Sequence, residues 1–509
     1  MFCKLTSYAL KGLKPMEIEV EVDLNSGLPA FDIVGLPDSA VKESKDRVRS
    51  AIKNSGYQFP ISRITVNLAP ASIRKEGSLY DLPIAIAILC CNKMVNNNNI
   101  NKYLLFGELA LDGTLRSSKQ LFPIICALTQ MEALKNCYFI VPMSSKTQMN
   151  CLNSSKILYA SNLKDVIYFL NGTEDKLEMN TCSYQLSENN SIYTDFQDIY
   201  GQEFAKGALV VAASGYHNLL FIGPPGSGKT MLSKSFPSLF QQLTFEQIIN
   251  LTQIYSLADL LAENELMTTR PFRTPHHTIT AQALCGGGQN PKPGEISLAH
   301  LGILFLDELL EFSKKTLEVL RQPLESRDIT ISRANQNVTY PADFLLIAST
   351  NPCPCGYYPD RDRCTCSLPV VKKYLHKLSG PLLDRIDLHV ETEPIDFNSM
   401  TQKSSLSTSK MVELTKVALD RQAHRFKDRP NFYNAHMTVN DINIYCNLSQ
   451  SANTLLKQWL DSSKSSARSY HKILKLSRTI ADIADCDDIS DIHVSKAIQY
   501  RSLDHDFFA

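Results

Sequence analysis

The stretch Gly223-Pro224-Pro225-Gly226-Ser227-Gly228-Lys229-Thr230 fits the pattern G-x-x-x-x-G-K-[ST] at each fixed position. It decides the fold because of what flanks it. Asn218-Leu-Leu-Phe-Ile222 is an apolar run that reads as a buried strand, and Met231-Leu-Ser-Lys-Ser-Phe236 reads as the first turns of a helix. Strand, glycine-rich loop and helix in that order form a phosphate cradle. The glycines let backbone N–H groups turn inward, and the helix N-terminus adds partial positive charge. Lys229 can reach the β- and γ-phosphates of a nucleotide, and the Thr230 hydroxyl can ligate Mg²⁺. A nucleoside triphosphate, ATP in the simplest case, is the expected ligand.

Working outward, Ile303-Leu-Phe-Leu306-Asp307-Glu308 is an apolar strand that ends in two acids. In an open α/β sheet that places both carboxylates at the strand edge where ligands bind. Asp307 is expected to hold Mg²⁺ through its water shell and Glu308 to polarise an attacking water. The competing reading is a buried strand followed by a helix N-cap. A third strand, Phe344-Leu-Leu-Ile-Ala-Ser-Thr350, ends in Asn351. An amide there can hydrogen-bond the water or the γ-phosphate without competing for the metal, although Asn before Pro is also an ordinary turn former.

Composition bounds the rest. The chain has 509 residues, room for roughly three domains at about 150 residues each. It is 44% hydrophobic and 20% charged, with Lys+Arg and Asp+Glu both 52. Such a balance excludes a polycationic nucleic-acid coat, so any DNA contact must come from a local patch. No run approaches the roughly 18 apolar residues of a membrane span, and the start lacks a signal-peptide core. A cytoplasmic protein without membrane contact is expected.

Along the chain, Glu17 to Asp23 alternates with period two, as a half-buried strand does, and Ile64 to Leu68 reads as another strand. Val41 to Lys53 is helix-like with Val41, Val48, Ala51 and Ile52 on one face, and Asp81 to Leu89 is a very apolar helix. The stretch from Asn171 to about Asn190 is polar and reads as a linker, and Asn96 to Asn99 as a loop tip. From Asp195 to Glu393 apolar strands alternate with helical segments, the signature of a parallel sheet. Beyond about 396 the chain is helical and polar.

Four further segments carry a resemblance: Thr274-Pro-His-His-Thr278, Pro293-Gly-Glu-Ile-Ser-Leu-Ala-His300, Asn351-Pro-Cys-Pro-Cys-Gly356 and Ser379-Gly-Pro-Leu-Leu-Asp-Arg385-Ile-Asp-Leu-His389. With them the chain resembles the magnesium-chelatase-related AAA+ ATPases, and within these the ComM/YifB-like bacterial branch. Gly27-Leu-Pro-Ala-Phe-Asp-Ile-Val-Gly-Leu-Pro-Asp38 and Ser466-Ala-Arg468-Ser-Tyr-His471 belong to the same pattern, so the likeness covers nearly the whole chain. It implies an α/β multidomain protein: a Lon-protease-like α+β domain over 1–170, a linker over 171–194, an AAA+ P-loop α/β core over 195–395 and a C-terminal helical lid over 396–509. It also implies a homo-oligomeric, hexameric ring and, for the ComM-like branch, ATP-driven branch migration of DNA during natural transformation.

By the same resemblance Arg385 is an arginine finger that reaches a neighbouring subunit's γ-phosphate, which a guanidinium can do by neutralising charge on the transferred phosphoryl. The competing reading pairs Arg385 with Asp384 or Asp387 of its own chain. Arg468 matches the family's second sensor arginine, with Arg478 as the rival for that role.

Fourteen cysteines are mostly scattered in apolar settings and read as buried reduced thiols. Cys353-Pro-Cys355 and Cys364-Thr-Cys366 stand apart, two C-x-C pairs separated by eight residues. Four soft ligands on one turn-rich loop can close a tetrahedral Zn²⁺ site. The spacing departs from the usual C-x₂-C knuckle, and four reduced thiols are the alternative. His276 and His277 read as hydrogen-bonding or phosphate-contacting groups ahead of the acidic strand.

In the N-terminal part, aligning Gly77 with the glycine of the Lon-type G-x-S segment puts Leu79 at the serine's place and leaves Ser78 one residue off register. No base lysine stands at the expected distance, so proteolysis is disfavoured. Two segments look inserted into the ATPase core: Met267 to Ile296, with Arg270, Arg273, His276, His277 and Lys292, and Asp328 to Tyr340, which reads as a hairpin around Arg333. In a ring such loops could hold branched or single-stranded DNA by its phosphates; alternatively they are surface insertions or packing between subunits. Two function classes therefore compete, a DNA motor and a remodelling ATPase that acts on something other than DNA.

Overall fold

In the computed structural model the described residues are 1–96, 100–173, 177–182, 193–262, 265–288, 291–333, 336–394, 404–429, 431–463 and 467–501. Several features read from sequence fall outside them: Asn97 to Asn99, most of the expected linker, Gln289 and Asn290, the expected hairpin tip at Ala334 and Asn335, the boundary near 396, and Ser466. The side chain of Arg333 also lies outside. The chain divides into two compact units.

The first unit comprises Met1–Glu188, Leu243–Thr268 and Ser332–Tyr340. Strands Phe2–Lys11, Lys14–Asn25, Arg63–Ala69 and Ala30–Val34 lie side by side in that order. They are antiparallel except the last pair, which is parallel. Period-two alternation in Lys14–Asn25 buries Ile18, Val20 and Val22, while their glutamate neighbours face outward. Helix Ser39–Asn54 buries Val41, Ser44, Val48, Ala51 and Ile52, the stripe expected plus one serine. Helix Asp81–Cys91 is buried at each of its residues, as its all-round apolar sequence requires. Its one acid, Asp81, accepts from Arg47 Nε at 2.6 Å and from the Leu109 amide at 3.2 Å. Burial pushes the Asp81 carboxyl upward in pKa, and Arg47 and Ser44 oppose that.

Leu79 sits in the core of this unit. The Ser78 hydroxyl donates to the Glu108 carboxylate, and the ammonium of the buried Lys75 donates to the Pro70 carbonyl. Among the described residues, then, Ser78 and Lys75 do not form a nucleophile–base pair.

The second unit comprises Asn189–Gln242, Thr269–Ile331 and Pro341–Ala509. At its centre is a five-stranded parallel sheet ordered Phe272–Arg273, Ile303–Leu306, Leu345–Thr350, Leu219–Ile222, Leu388–Glu391. In chain order that is second, third, fourth, first, fifth. The middle strands are buried on both faces, which is why they read as unbroken apolar runs. Past residue 404 the described elements are helical: Thr408–Arg425, Val439–Tyr445, Gln450–Ser463, Ala467–Ile483 and Asp491–Gln499. Asp482 ties several of them together. It accepts two bonds from Arg425 at 2.7 Å, one from Arg478 Nε at 3.1 Å and one from Asn434 Nδ2 at 2.8 Å, and it is fully buried. Among the described residues no helix is long and apolar enough to cross a membrane.

Candidate functional site

Strand register brings the motifs together. Ile222 is level with Thr350 and with Glu391, and Leu306 with Ala348. The residues that follow, Gly223, Asn351 and Asp307, therefore emerge at one edge of the sheet. This is where the strand order reverses, with the first strand between the fourth and fifth, the position at which open α/β sheets bind ligands.

The glycine-rich loop leaves Ile222 and enters helix Lys229–Ser235. Gly226 and Gly228 have φ of 78° and 86°, and a Cβ at either would meet nothing within 4 Å. They line an open cradle in a conformation that side-chain-bearing residues rarely adopt. Gly223 is required for another reason: a Cβ there would lie 2.1 Å from Thr392 Oγ1.

Lys229 is buried and folds onto its own loop. Its ammonium donates to the carbonyls of Gly223 and Pro224, each at 2.8 Å, and to Ser227 Oγ at 3.4 Å. Burial pushes its pKa down to about 8, with Asp307 and Glu308 pulling the other way. A buried cation held by neutral carbonyls is short of negative charge. The cradle, the lysine, the Thr230 hydroxyl and the two acids thus fit a Mg²⁺-bound nucleoside triphosphate.

Thr230 Oγ1 donates to Asp307 Oδ2 at 3.0 Å, so the two residues expected to hold Mg²⁺ are in direct contact. Asp307 also accepts from the Ser349 hydroxyl, and Ser349 Oγ accepts from the Glu308 amide at 3.4 Å. Ser349 was not singled out from sequence, because one serine in an apolar strand carries no periodic or spacing signal. Glu308 is an exposed non-glycine residue in left-handed backbone, φ 53° and ψ 49°. Such a conformation costs of order 1 kcal/mol and concentrates at functional sites. His277 Nδ1 lies 3.6 Å from Glu308 Oε2.

Arg385 and Arg468 lie elsewhere in this unit. Asn218, the residue before the first strand, donates from Nδ2 to the Arg385 carbonyl at 3.0 Å. Arg385 is thus at the opposite edge of the sheet from Gly223, with a four-residue strand of about 13 Å between them. Its guanidinium pairs with Glu325 and donates from Nη1 to the Pro381 carbonyl at 2.6 Å. The pairing with Asp384 or Asp387 considered from sequence does not form. Asp387 instead meets Lys472 at 3.1 Å and His217 at 3.4 Å. Burial alone would raise the Asp387 pKa, but the Lys472 ammonium and the hydrogen bond from His217 hold it well below the usual carboxylate range. Arg468 is exposed and lines a cavity of about 400 Å³ together with Glu325, Arg327, Arg385, Lys472 and Lys475. Arg478, the alternative to Arg468, is 1% exposed and bonded to Asp482 and to the carbonyls of Cys486 and Asp487, a fold-holding position.

Two basic residues expected to face DNA are used internally. Arg273 forms a two-pronged pair with Glu295 at 2.7 Å, and Arg270 donates to the carbonyls of Leu301 at 2.6 Å and Gln241 at 3.2 Å.

The four clustered cysteines converge. Their Sγ atoms all lie within 4.8 Å of one another, and Cys353 and Cys364 are buried.

Three family models match in succession: subunit ChlI of Mg-chelatase over 20–145, magnesium chelatase subunit ChlI over 195–400, and the ChlI C-terminal model over 405–501. The competence protein ComM of Haemophilus influenzae is 40% identical over 506 residues, 98% of this chain and 97% of that protein. The chain belongs to the ComM/YifB-like family of magnesium-chelatase-related AAA+ ATPases. The uncharacterized protein YifB of Escherichia coli is likewise 41% identical over 500 residues, 97% of this chain and 96% of its own length. Membership of this family implies ATP and Mg²⁺ as ligands.

Proposed function

We propose that this protein is an ATP-hydrolysing ring motor that acts on branched or single-stranded DNA, promoting branch migration in recombination during natural transformation. The observation that carries the reading is the division of charged machinery between two edges of one sheet. Lys229, Thr230, Asp307, Glu308 and Asn351 stand at one edge, Arg385 and Arg468 at the other. Neither arginine can serve the phosphates bound by its own chain across about 13 Å of strand. A second copy that brings its Arg385 edge to this Walker edge completes the site, so hydrolysis requires a homo-oligomer, and a closed hexameric ring is the form inferred from the family.

Within that site each residue has a task. Lys229 neutralises phosphate charge, and in doing so exchanges its loop carbonyls for a better partner. Thr230 and Asp307 hold the Mg²⁺, which when bound offsets charge on the β- and γ-oxygens. Ser349 keeps Asp307 in place. Glu308 accepts the proton of the attacking water, Asn351 orients that water, and the partner copy's finger and sensor arginines stabilise the charge that develops. The thiols of Cys353, Cys355, Cys364 and Cys366 are assigned to bound Zn²⁺ rather than to catalysis, since four thiolates leave the ion no open position for water.

The DNA assignment draws on the likeness to a competence protein across nearly the whole chain. The internal use of Arg270 and Arg273 favours a contact made by few side chains, and it keeps a second reading alive: a remodelling ATPase akin to the magnesium chelatase motor. A labelled four-way DNA junction, incubated with protein, Mg²⁺ and ATP, separates the two. Conversion to duplex products by the wild type and not by Glu308→Gln supports the DNA motor. Intact junctions together with ATP hydrolysis that is indifferent to DNA would move the assignment to the remodelling ATPase.

A further inference from the structure

The loop that follows Asn351 turns back onto the nucleotide loop. A Cβ on Gly356 would lie 2.7 Å from Pro225 Cδ and 3.3 Å from its Cγ, and 3.9 Å from Asn351 Cγ. Gly356 sits at φ +88°, where its amide donates to the Cys353 carbonyl at 3.0 Å. Gly356, directly after the first cysteine pair, therefore rests on the second proline of the Walker loop. A side chain could not fit there.

The same loop carries a soft ligand set. Cys353 Sγ lies 3.3 Å from Cys355 Sγ and 3.8 Å from Cys364 Sγ, and Cys355 and Cys364 are 3.6 Å apart. Tetrahedral Zn–S bonds of about 2.3 Å demand sulfur–sulfur edges of about 3.8 Å, so these separations suit a single Zn²⁺. The Tyr358 amide donates to Cys353 Sγ at 3.4 Å, the kind of outer contact that steadies a metal-bound thiolate. Two cations of the loop are near at hand: the Arg361 guanidinium lies 5.1 Å from the Tyr358 ring, and Arg363 6.0 Å from that of Tyr357. Arg361 also donates from Nη1 to the Cys366 carbonyl at 3.1 Å, while Arg363 pairs with Asp360 at 3.8 Å.

The geometry points to a metal-held rim for the nucleotide site: Zn²⁺ bound by Cys353, Cys355, Cys364 and Cys366 keeps Gly356 against Pro225 and so holds the Walker loop and Asn351 in their working positions. This rests on the nucleotide-binding reading of the Walker loop. The stretch 352–367 runs from strand Leu345–Thr350 to the short helix Leu368–Leu375 without a regular element of its own among the described residues, and it has few buried side chains beyond two of the thiols. Without a metal, four adjacent thiols leave that stretch with little to fix its turn, and the support under Pro225 goes with it. Loss of Zn²⁺, by chelation or by oxidation of the thiols, then lowers nucleotide affinity without touching Lys229, Thr230 or Asp307.

The test uses the full chain and two separate readouts. Metal content is measured on protein purified under reducing conditions, and Co²⁺ replacement is followed by its tetrahedral d–d and sulfur-to-metal bands. Nucleotide affinity is measured with a fluorescent ATP analogue. One Zn²⁺ per chain is expected in the wild type and none in a Cys353→Ser, Cys364→Ser double variant. Chelated wild type is expected to bind the analogue about tenfold or more weakly, and added Zn²⁺ to restore it. In case the double variant fails to fold, Gly356→Val keeps all four thiols: its Co²⁺ spectrum should match the wild type while its nucleotide affinity falls. Wild type that takes up neither Zn²⁺ nor Co²⁺ overturns the site. Chelated protein, or Gly356→Val, with wild-type affinity overturns the coupling. Lys229→Ala separates the two readings, since it should keep its Zn²⁺ and lose the analogue; tight binding by that variant would overturn the nucleotide reading and leave the metal site standing.

Discussion

His277 Nδ1 lies 3.6 Å from Oε2 of Glu308, and the His277 ring is packed 4.1 Å from that of His276. Glu308 is therefore met from the side by a residue of the segment that precedes the acidic strand, while left-handed backbone sets its direction from below. Glu308→Gln removes the base but keeps the shape. Its turnover should fall by at least about 10², with nucleotide affinity unchanged. His277→Ala removes only the lateral contact. Its kcat for ATP should fall several-fold while KM holds, the mark of a positioning residue. Wild-type kcat in His277→Ala would show that the contact has no catalytic part.

The pair Arg385–Glu325 leads to a complementation experiment. Arg385→Ala should lower turnover by about 10³ or more, as loss of an arginine finger does. Glu308→Gln should be equally inactive alone. Mixed in equal amounts, the two should regain activity, because some junctions will join an intact Glu308 to a partner's intact Arg385. Full activity of Arg385→Ala by itself would remove the argument for a site completed by a second copy.

Lys229 ties affinity to pH. Burial pushes its pKa down to about 8, against 10.5 for an ordinary lysine. Bound phosphate restores the ammonium, so above about pH 8 binding takes up a proton. The sign follows: affinity is level below pH 8 and falls as pH rises through it, by about tenfold per unit until the bound-state pKa is reached. Calorimetry at pH 8.8 in buffers of different ionisation enthalpy measures the uptake directly. Equal apparent heats in all buffers would show that Lys229 is already protonated in the free state.

How much of this was legible in the sequence depends on whether the chemistry is local. The Walker loop, Asp307 and Asn351 each end an apolar run, and a parallel sheet converts that pattern into a shared edge. Ser349 was hidden because it sits inside such a run. The partner of Arg385 was hidden for a different reason. Asp384 and Asp387 are near in sequence, yet the short helix Gly380–Leu383 and the turn after it send the guanidinium toward Glu325, sixty residues earlier. Arg270 and Arg273 looked available for DNA since their partners, two carbonyls for the one and Glu295 for the other, are set by tertiary packing. Gly356 read as part of a cysteine motif, and only the folded loop brings it to Pro225.

Arg468 and Arg478 should respond in opposite ways to the same substitution. Arg478 is buried against Asp482, which also receives Arg425 and Asn434. Truncating it leaves a buried carboxylate with one cation fewer. Arg478→Leu should therefore destabilise the protein by about 3 kcal/mol or more, the usual consequence of breaking a buried charge pair. Arg468 is exposed at the rim of the cavity that holds Arg385, and among the described residues no such network lies beneath it. Arg468→Leu should leave the thermal midpoint within a degree or two of wild type, surface changes being worth about 0.5 kcal/mol at most, yet depress ATP turnover in the assembled protein. Thermal melts and ATPase rates on the two variants, taken side by side, decide the matter. A stable, inactive Arg478→Leu beside an active Arg468→Leu would exchange their roles and put the second sensor inside the helical core.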